Sequence, residues 1–80
     1  MVLRLNTSNK VVGTKQVKGA LTREEAEIVY IAKDAAEKVV KDIAQICAEK
    51  QIEVIYVETM GKLGEACNID VSAASAALLK

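Results

Sequence analysis

Lys15 and Gln16 carry the side chains best suited to recognition chemistry in this chain, and they stand in the stretch Gly13-Thr14-Lys15-Gln16. A lysine ammonium donates to guanine O6 and N7, and a glutamine amide both donates to and accepts from a base edge. The glycine ahead of them suits a turn into a helix, whose first N–H groups lack intrahelical partners and carry partial positive charge. Lys18 follows closely. Residues 1–23 hold five basic side chains (Arg4, Lys10, Lys15, Lys18 and Arg23) and no acidic one, whereas residues 24–80 hold six basic and eleven acidic ones. A formal net charge of zero therefore conceals about +5 at one end and −5 at the other. Such asymmetry points to an anionic partner at the basic end, most often nucleic acid. Composition alone also leaves a plainer reading open, in which Gly13 merely turns the chain and Lys15 and Gln16 are solvated residues of a first helical turn.

Other chemistry finds little support. Nucleophilic catalysis needs a base beside its nucleophile, yet the chain has no histidine and no Gly-x-Ser-x-Gly elbow. Gly13-Thr14-Lys15 does not satisfy the Gly-x-x-x-x-Gly-Lys-Ser/Thr phosphate loop. Glu24, Glu25, Glu27, Glu37, Asp42 and Glu49 stand among lysines, as on a solvated face. Cys47 and Cys67 are too few and too far apart for a disulfide framework or a zinc site, and read as small buried hydrophobes. The expectation is a protein without catalytic activity, metal or cofactor. Its apolar runs fall far short of the ~20 residues that span a bilayer, and Met1-Val2-Leu3-Arg4 lacks the layout of a signal peptide, so no membrane partner is expected and the cytoplasm is its expected location.

The elements that must position these residues follow from the apolar pattern. Eighty residues make one small domain, 1–80, with a core of Val, Ile, Leu and Ala, since Tyr30 and Tyr56 are the only aromatics. Ile28–Ala32 and Ile52–Val57 are nearly continuous in apolar residues, which predicts strands covered on both faces. Between them, Asp34 as N-cap with Glu37 three residues on announces a helix. Ala36, Val39, Val40, Ile43, Ile46 and Cys47 form its apolar face at three- and four-residue spacing. Thr59 caps a shorter helix lined by Leu63, Ala66 and Cys67, with Asn68 at its C′ position. Lys10–Gly13 reads as a short strand leading into a helix over Thr14–Leu21, and Ala73–Leu79 as a final strand; Leu3–Ser8 reads as a brief opening helix. Strands alternating with helices predict a three-layer α/β/α sandwich, and a monomer is the default at this size.

Three ordered blocks add a resemblance. Gly13-Thr14-Lys15-Gln16 with Ala20-Leu21, then Ile31-Ala32-Lys33-Asp34-Ala35, then Leu63-Gly64-Glu65-Ala66-Cys67-Asn68-Ile69-Asp70-Val71 resemble, in order and spacing, the kink-turn-binding ribosomal protein family, and particularly its short bacterial YbxF-like branch. The resemblance covers essentially the whole chain. It implies an α/β/α sandwich with a small mixed sheet, and binding to structured RNA, ribosomal RNA included, at kink-turns, where sheared G·A pairs follow a bulge. Plain A-form RNA hides its base edges in a deep, narrow groove, whereas a kinked element opens them.

By the same resemblance, Gly13 and Thr14 place the helix start, and Lys15 and Gln16 meet the G·A pairs. Lys18, about 100° around the helix from position 19, can reach a phosphate without replacing the family's contact there, and Lys33 is a turn lysine first and a phosphate contact second. Ile69, Asp70, Val71, Ser72 and Ala73, with Ala74, form the loop that covers extruded bulge bases. This chain departs from the wider family pattern in Lys15-Gln16, where Asn-Glu is usual outside the bacterial branch. It departs again in Gly19, Met60 and Val71, which replace frequent basic residues. The alternative on the same fold is a protein-interaction or scaffold module, its acidic 24–80 region facing a basic partner.

Overall fold

A computed structural model describes residues 9–67, 69 and 71–80. The opening helix predicted over Leu3–Ser8 and the C′ role predicted for Asn68 lie outside these residues. The elements run β1 (Lys10–Val12), α1 (Thr14–Thr22), β2 (Ala26–Ala32), α2 (Glu37–Lys50), β3 (Glu53–Val57), α3 (Met60–Ala66) and β4 (Ser75–Leu79). The strands form one mixed sheet in the order β1-β4-β2-β3, with β4 antiparallel to both neighbours and β3 parallel to β2.

Alternation along the central strands divides the core into two layers of side chains. Ile28, Tyr30, Ala32, Ala76 and Leu78 pack with Leu63 and Cys67 of α3. Val29, Ile31 and Ala77 pack with Val17, Ala20 and Leu21 of α1 and with Ile43 and Cys47 of α2. Helices therefore cover both faces, which makes the three-layer sandwich. Cys47 and Cys67 lie on opposite sides of the sheet, unpaired and buried, and burial pushes both thiols above their ordinary pKa. Ala76 and Ala77 are fully buried at the middle of the sheet. Alanine is a weak strand former, but pairing on both sides outweighs propensity there.

Two expectations need correction. The capping role assigned to Asp34 is not met: α2 begins at Glu37, its N-cap is Ala36, and no side chain caps it. The Asp34 carboxylate instead accepts from the backbone N–H of Met60 at 2.7 Å, tying the turn after β2 to the start of α3. The local spacing fitted a capping box, but a carboxylate can satisfy an orphan donor on any helix within reach. The second correction concerns coverage. β2 is buried along its length except at Glu27, whereas β3 is the sheet edge and leaves Tyr56 53% exposed. On α2, likewise, Ile43 and Cys47 are buried, Val40 and Ile46 half-buried, and Ala36 and Val39 exposed. The buried stripe is narrower than the apolar pattern.

Thr59 does cap α3, its hydroxyl accepting from the Lys62 N–H at 3.0 Å. Thr59→Ala is expected to cost about 1 kcal/mol, read as a lowered urea midpoint at unchanged slope.

Candidate nucleic-acid interface

The topology gathers the predicted residues at one end of the sheet. Val12 ends β1 opposite Ala76, and Ile31 near the end of β2 faces Ser75, so the turns after β1, β2 and β3 meet the entrance to β4. Gly13 makes the sharp exit from β1 with φ 101° and ψ 148°, a conformation essentially reserved for glycine. Its N–H donates to the Ser75 carbonyl at 2.9 Å, and its own carbonyl accepts the first helical bond, from Val17, at 2.9 Å. Thr14 Oγ1 stands 3.4 Å from Oγ of the fully buried Ser75. The start of α1 is thus fastened to the start of β4.

Because its N-cap is glycine, α1 has no side-chain cap, and no acidic residue stands in its first turn. The first-turn N–H groups are left for solvent or a ligand, with the positive end of the helix dipole behind them. Lys15 and Gln16 are exposed on this turn. Lys18 leaves it: its ammonium pairs with Asp42 of α2 at 3.2 Å. Both partners are largely exposed, and a pair of that kind contributes at most about 1 kcal/mol and exchanges readily.

Lys33 sits at the same end, where its N–H donates to the Val57 carbonyl at 2.7 Å and its side chain is exposed. Nearby, Lys62 binds Glu58 at 2.8 Å. That hydrogen bond and charge, with a smaller contribution from Lys33, hold the Glu58 carboxyl below its ordinary pKa.

The loop before β4 forms the other half. Ile69 donates its N–H to the Gly64 carbonyl at 3.1 Å and rests half-buried against the α3-side core. Ala73 is buried and donates to the Met60 carbonyl at 3.1 Å, while the Ala74 carbonyl accepts from Ala32 at 2.9 Å. Between these anchors Val71 is 68% exposed, and Ser72 is exposed beside it. Asp70 lies outside the described residues. Of the two β-branched apolar residues in this loop, Val71 faces outward and Ile69 is shared with the core.

The supporting roles of three residues escaped the sequence reading. Gly64 lets α3 meet the loop, because a Cβ there would lie 2.2 Å from the Val71 carbonyl oxygen. A glycine inside a helical pattern was the available signal, since it needs a packing reason. Ser75, the lone polar residue of an alanine-rich strand, joins β4 to α1. Asp34 anchors α3, a link between segments 26 residues apart that no local pattern carries.

Sequence and structure comparisons meet this geometry. Residues 2–80 match the Ribosomal protein L7Ae/L30e/S12e/Gadd45 family. The chain belongs to that family. It is 53% identical over 70 residues to an RNA-binding protein of Halalkalibacterium halodurans, an overlap of 88% of this chain and 85% of the relative. It is 37% identical over 75 residues to the large ribosomal subunit protein eL8 of Halobacterium salinarum, covering 92% of this chain and 62% of that one. Among solved structures, the Giardia lamblia 15.5kD RNA binding protein superposes with a TM-score of 0.84 at 27% identity, over 90% of this chain and 61% of that one. The family resemblance carried by the three sequence blocks is the family to which the chain belongs, and the sandwich it implied is the fold observed.

Proposed function

We propose that this chain is a non-enzymatic RNA-binding module that recognises kink-turns in structured RNA, ribosomal RNA included, and acts as a monomer without metal or cofactor. The observation that carries the reading is the junction of Thr14 and Ser75. It holds the uncapped start of α1, with Lys15 and Gln16, beside the loop that presents Val71. Relatives described as RNA-binding and ribosomal proteins support it.

In this reading each half of the surface has its own task. Lys15 and Gln16 meet the exposed edges of the sheared G·A pairs, aided by the first-turn N–H groups of α1. Val71 and the neighbouring backbone cover extruded bulge bases with apolar contact and hydrogen bonds, and single-stranded bases are the part of RNA most open to such contact. Lys33 lies where it can approach a phosphate, and Lys18 can exchange Asp42 for one. The basic 1–23 segment speeds encounter, an effect that weakens as salt rises.

The test is titration of a kink-turn RNA and of the same RNA with its G·A pairs changed to Watson–Crick pairs, at two salt concentrations. Selective binding to the kinked RNA is expected. Equal affinity for the two, with a steep salt slope, would leave only nonspecific attraction and overturn the reading. Gln16→Ala is expected to weaken kink-turn binding by about 1–3 kcal/mol, with little change for the paired control.

A further inference from the structure

The two edges of the sheet are guarded unequally. β1 is three residues long and carries Lys10, and shortness and a lysine are ordinary protections of an edge strand. β3 has five residues, Glu53–Val57, with no proline, glycine, lysine or break in register against β2, and no strand pairs to its outer side among the described residues. The Lys33 N–H donates to the Val57 carbonyl, so Val57 turns its backbone groups toward β2. Successive residues of a strand turn theirs to opposite sides, and Val54 and Tyr56 therefore turn theirs outward. The Ala32 N–H, which donates the other way to the Ala74 carbonyl, keeps the same alternation. Two N–H and two C=O groups are thus presented along the edge, at a repeat of about 6.6 Å.

Beside this edge, between α2 and β3, runs a groove of about 440 Å³. Ile31, Val40 and Ala44 give it an apolar floor, and the half-exposed ring of Tyr56 is its outer wall. Lys33 and Lys41 stand at its rim against one carboxylate, Glu37, and all three side chains are exposed. Neither lysine has an ion-pair partner among the described residues. The other carboxylates of this edge are directed elsewhere: Glu53 shares the opposite face of β3 with Ile55 and Val57, and Glu58 is held by Lys62.

We propose that β3 and this groove bind an extended acidic segment of a partner protein, which joins the sheet as a fifth strand and sets one apolar side chain between Tyr56 and α2. A polypeptide strand supplies donors and acceptors at the repeat that Val54 and Tyr56 require, which a phosphate chain does not. Alternate side chains of the segment lie over the groove. The apolar one fills it, and carboxylates two residues to either side meet Lys33 and Lys41. Val54, Tyr56 and Lys41 lie outside the surface assigned to RNA, so this inference stands or falls apart from the kink-turn reading.

The probe is an end-blocked synthetic peptide, Thr-Asp-Thr-Leu-Thr-Asp-Thr, which places leucine and both aspartates on one face of a strand. One control peptide carries lysine for both aspartates. Two more have alternate amide nitrogens methylated, one for each hydrogen-bonding side. Heteronuclear NMR on the full chain measures affinity and amide exchange, and thermal unfolding verifies that each variant is folded. The acidic peptide at saturation is expected to slow exchange of the Val54 and Tyr56 amides at least ~tenfold. One methylated peptide binds like the parent and the other fails to bind, the signature of strand addition. Tyr56→Ala weakens the acidic peptide about tenfold, and Lys41→Glu, on the exposed helix surface, shifts the preference toward the lysine peptide. Unchanged exchange at Val54 and Tyr56 with millimolar acidic peptide, or equal binding of the two methylated peptides, overturns the proposal. A wild-type preference for the lysine peptide overturns it too. Protection of the same two amides by kink-turn RNA alone, or by raised protein concentration alone, would give the edge to RNA or to a second copy and sink the inference.

Discussion

Gly64→Ala is expected to destabilise the fold by about 2–3 kcal/mol and to abolish binding of the kink-turn RNA. The added methyl would sit 2.2 Å from the Val71 carbonyl oxygen, 3.1 Å from the Val71 carbonyl carbon and 3.2 Å from the Ser72 Cα. These are backbone atoms, so no side-chain rotation relieves the clash. Either α3 or the loop must move. Leu63 beside it is fully buried against the sheet, and Ala73 is bonded to Met60, so the strain falls on the segment that presents Val71. Stability and binding are lost together because one close approach serves both.

Gly61 supplies the internal control. A methyl there meets only the Thr59 hydroxyl, at 3.8 Å, so Gly61→Ala should leave stability unchanged or raise it by up to ~1 kcal/mol, the ordinary gain of alanine over glycine in a helix. Chemical unfolding of the two variants, with RNA titration, checks the pair. Equal behaviour of positions 61 and 64 would refute the role given to the loop contact.

Gly13→Ala is expected to cost about 1–3 kcal/mol for a different reason. Nothing stands within 4 Å of the Cβ site, so the penalty is backbone strain alone, from φ 101°. Relaxing that angle would swing the peptide that donates to Ser75 and displace the first turn of α1. Loss of kink-turn affinity should therefore accompany the loss of stability. A chain made by chemical synthesis with D-alanine at position 13 separates the causes, because the D-residue accepts positive φ and the space is open. The D-alanine protein should unfold and bind like wild type. If both stereoisomers are equally impaired, strain is not the reason for glycine.

Much of this arrangement was legible in the chain. The turn at Gly13, the helix from Thr14 and the hydroxyl cap at Thr59 depend on groups within three or four residues of each other, and so could be read locally. The face of α2 was legible only in part. Ile43 and Cys47 are buried as their spacing required, but Val39 is exposed, because how much of a helix is covered depends on the neighbouring layers. The same limit applies to β3. Its residues read as those of an interior strand, yet it lies at the edge of the sheet, where no further strand is paired to it among the described residues. Asp34 shows the reverse failure: its spacing to Glu37 fits a capping box, but α2 starts at Glu37 behind Ala36, and the carboxylate finds its donor on another helix.

The sequence by itself determined the family, the alternation of strands and helices, and the residue types that meet at the candidate site, because composition, spacing and φ preference are properties of short segments. Only the tertiary structure decided that β4 enters the sheet between β1 and β2, setting Ser75 beside Thr14 across 61 residues of chain. It alone decided that Gly64 touches the Val71 loop and that the Arg23 guanidinium fills the space over Gly19. Those contacts arise from strand pairing and close packing of distant layers, and from the rotamer of one long side chain. Each is selected by the assembled fold rather than by the preferences of the residues next to it.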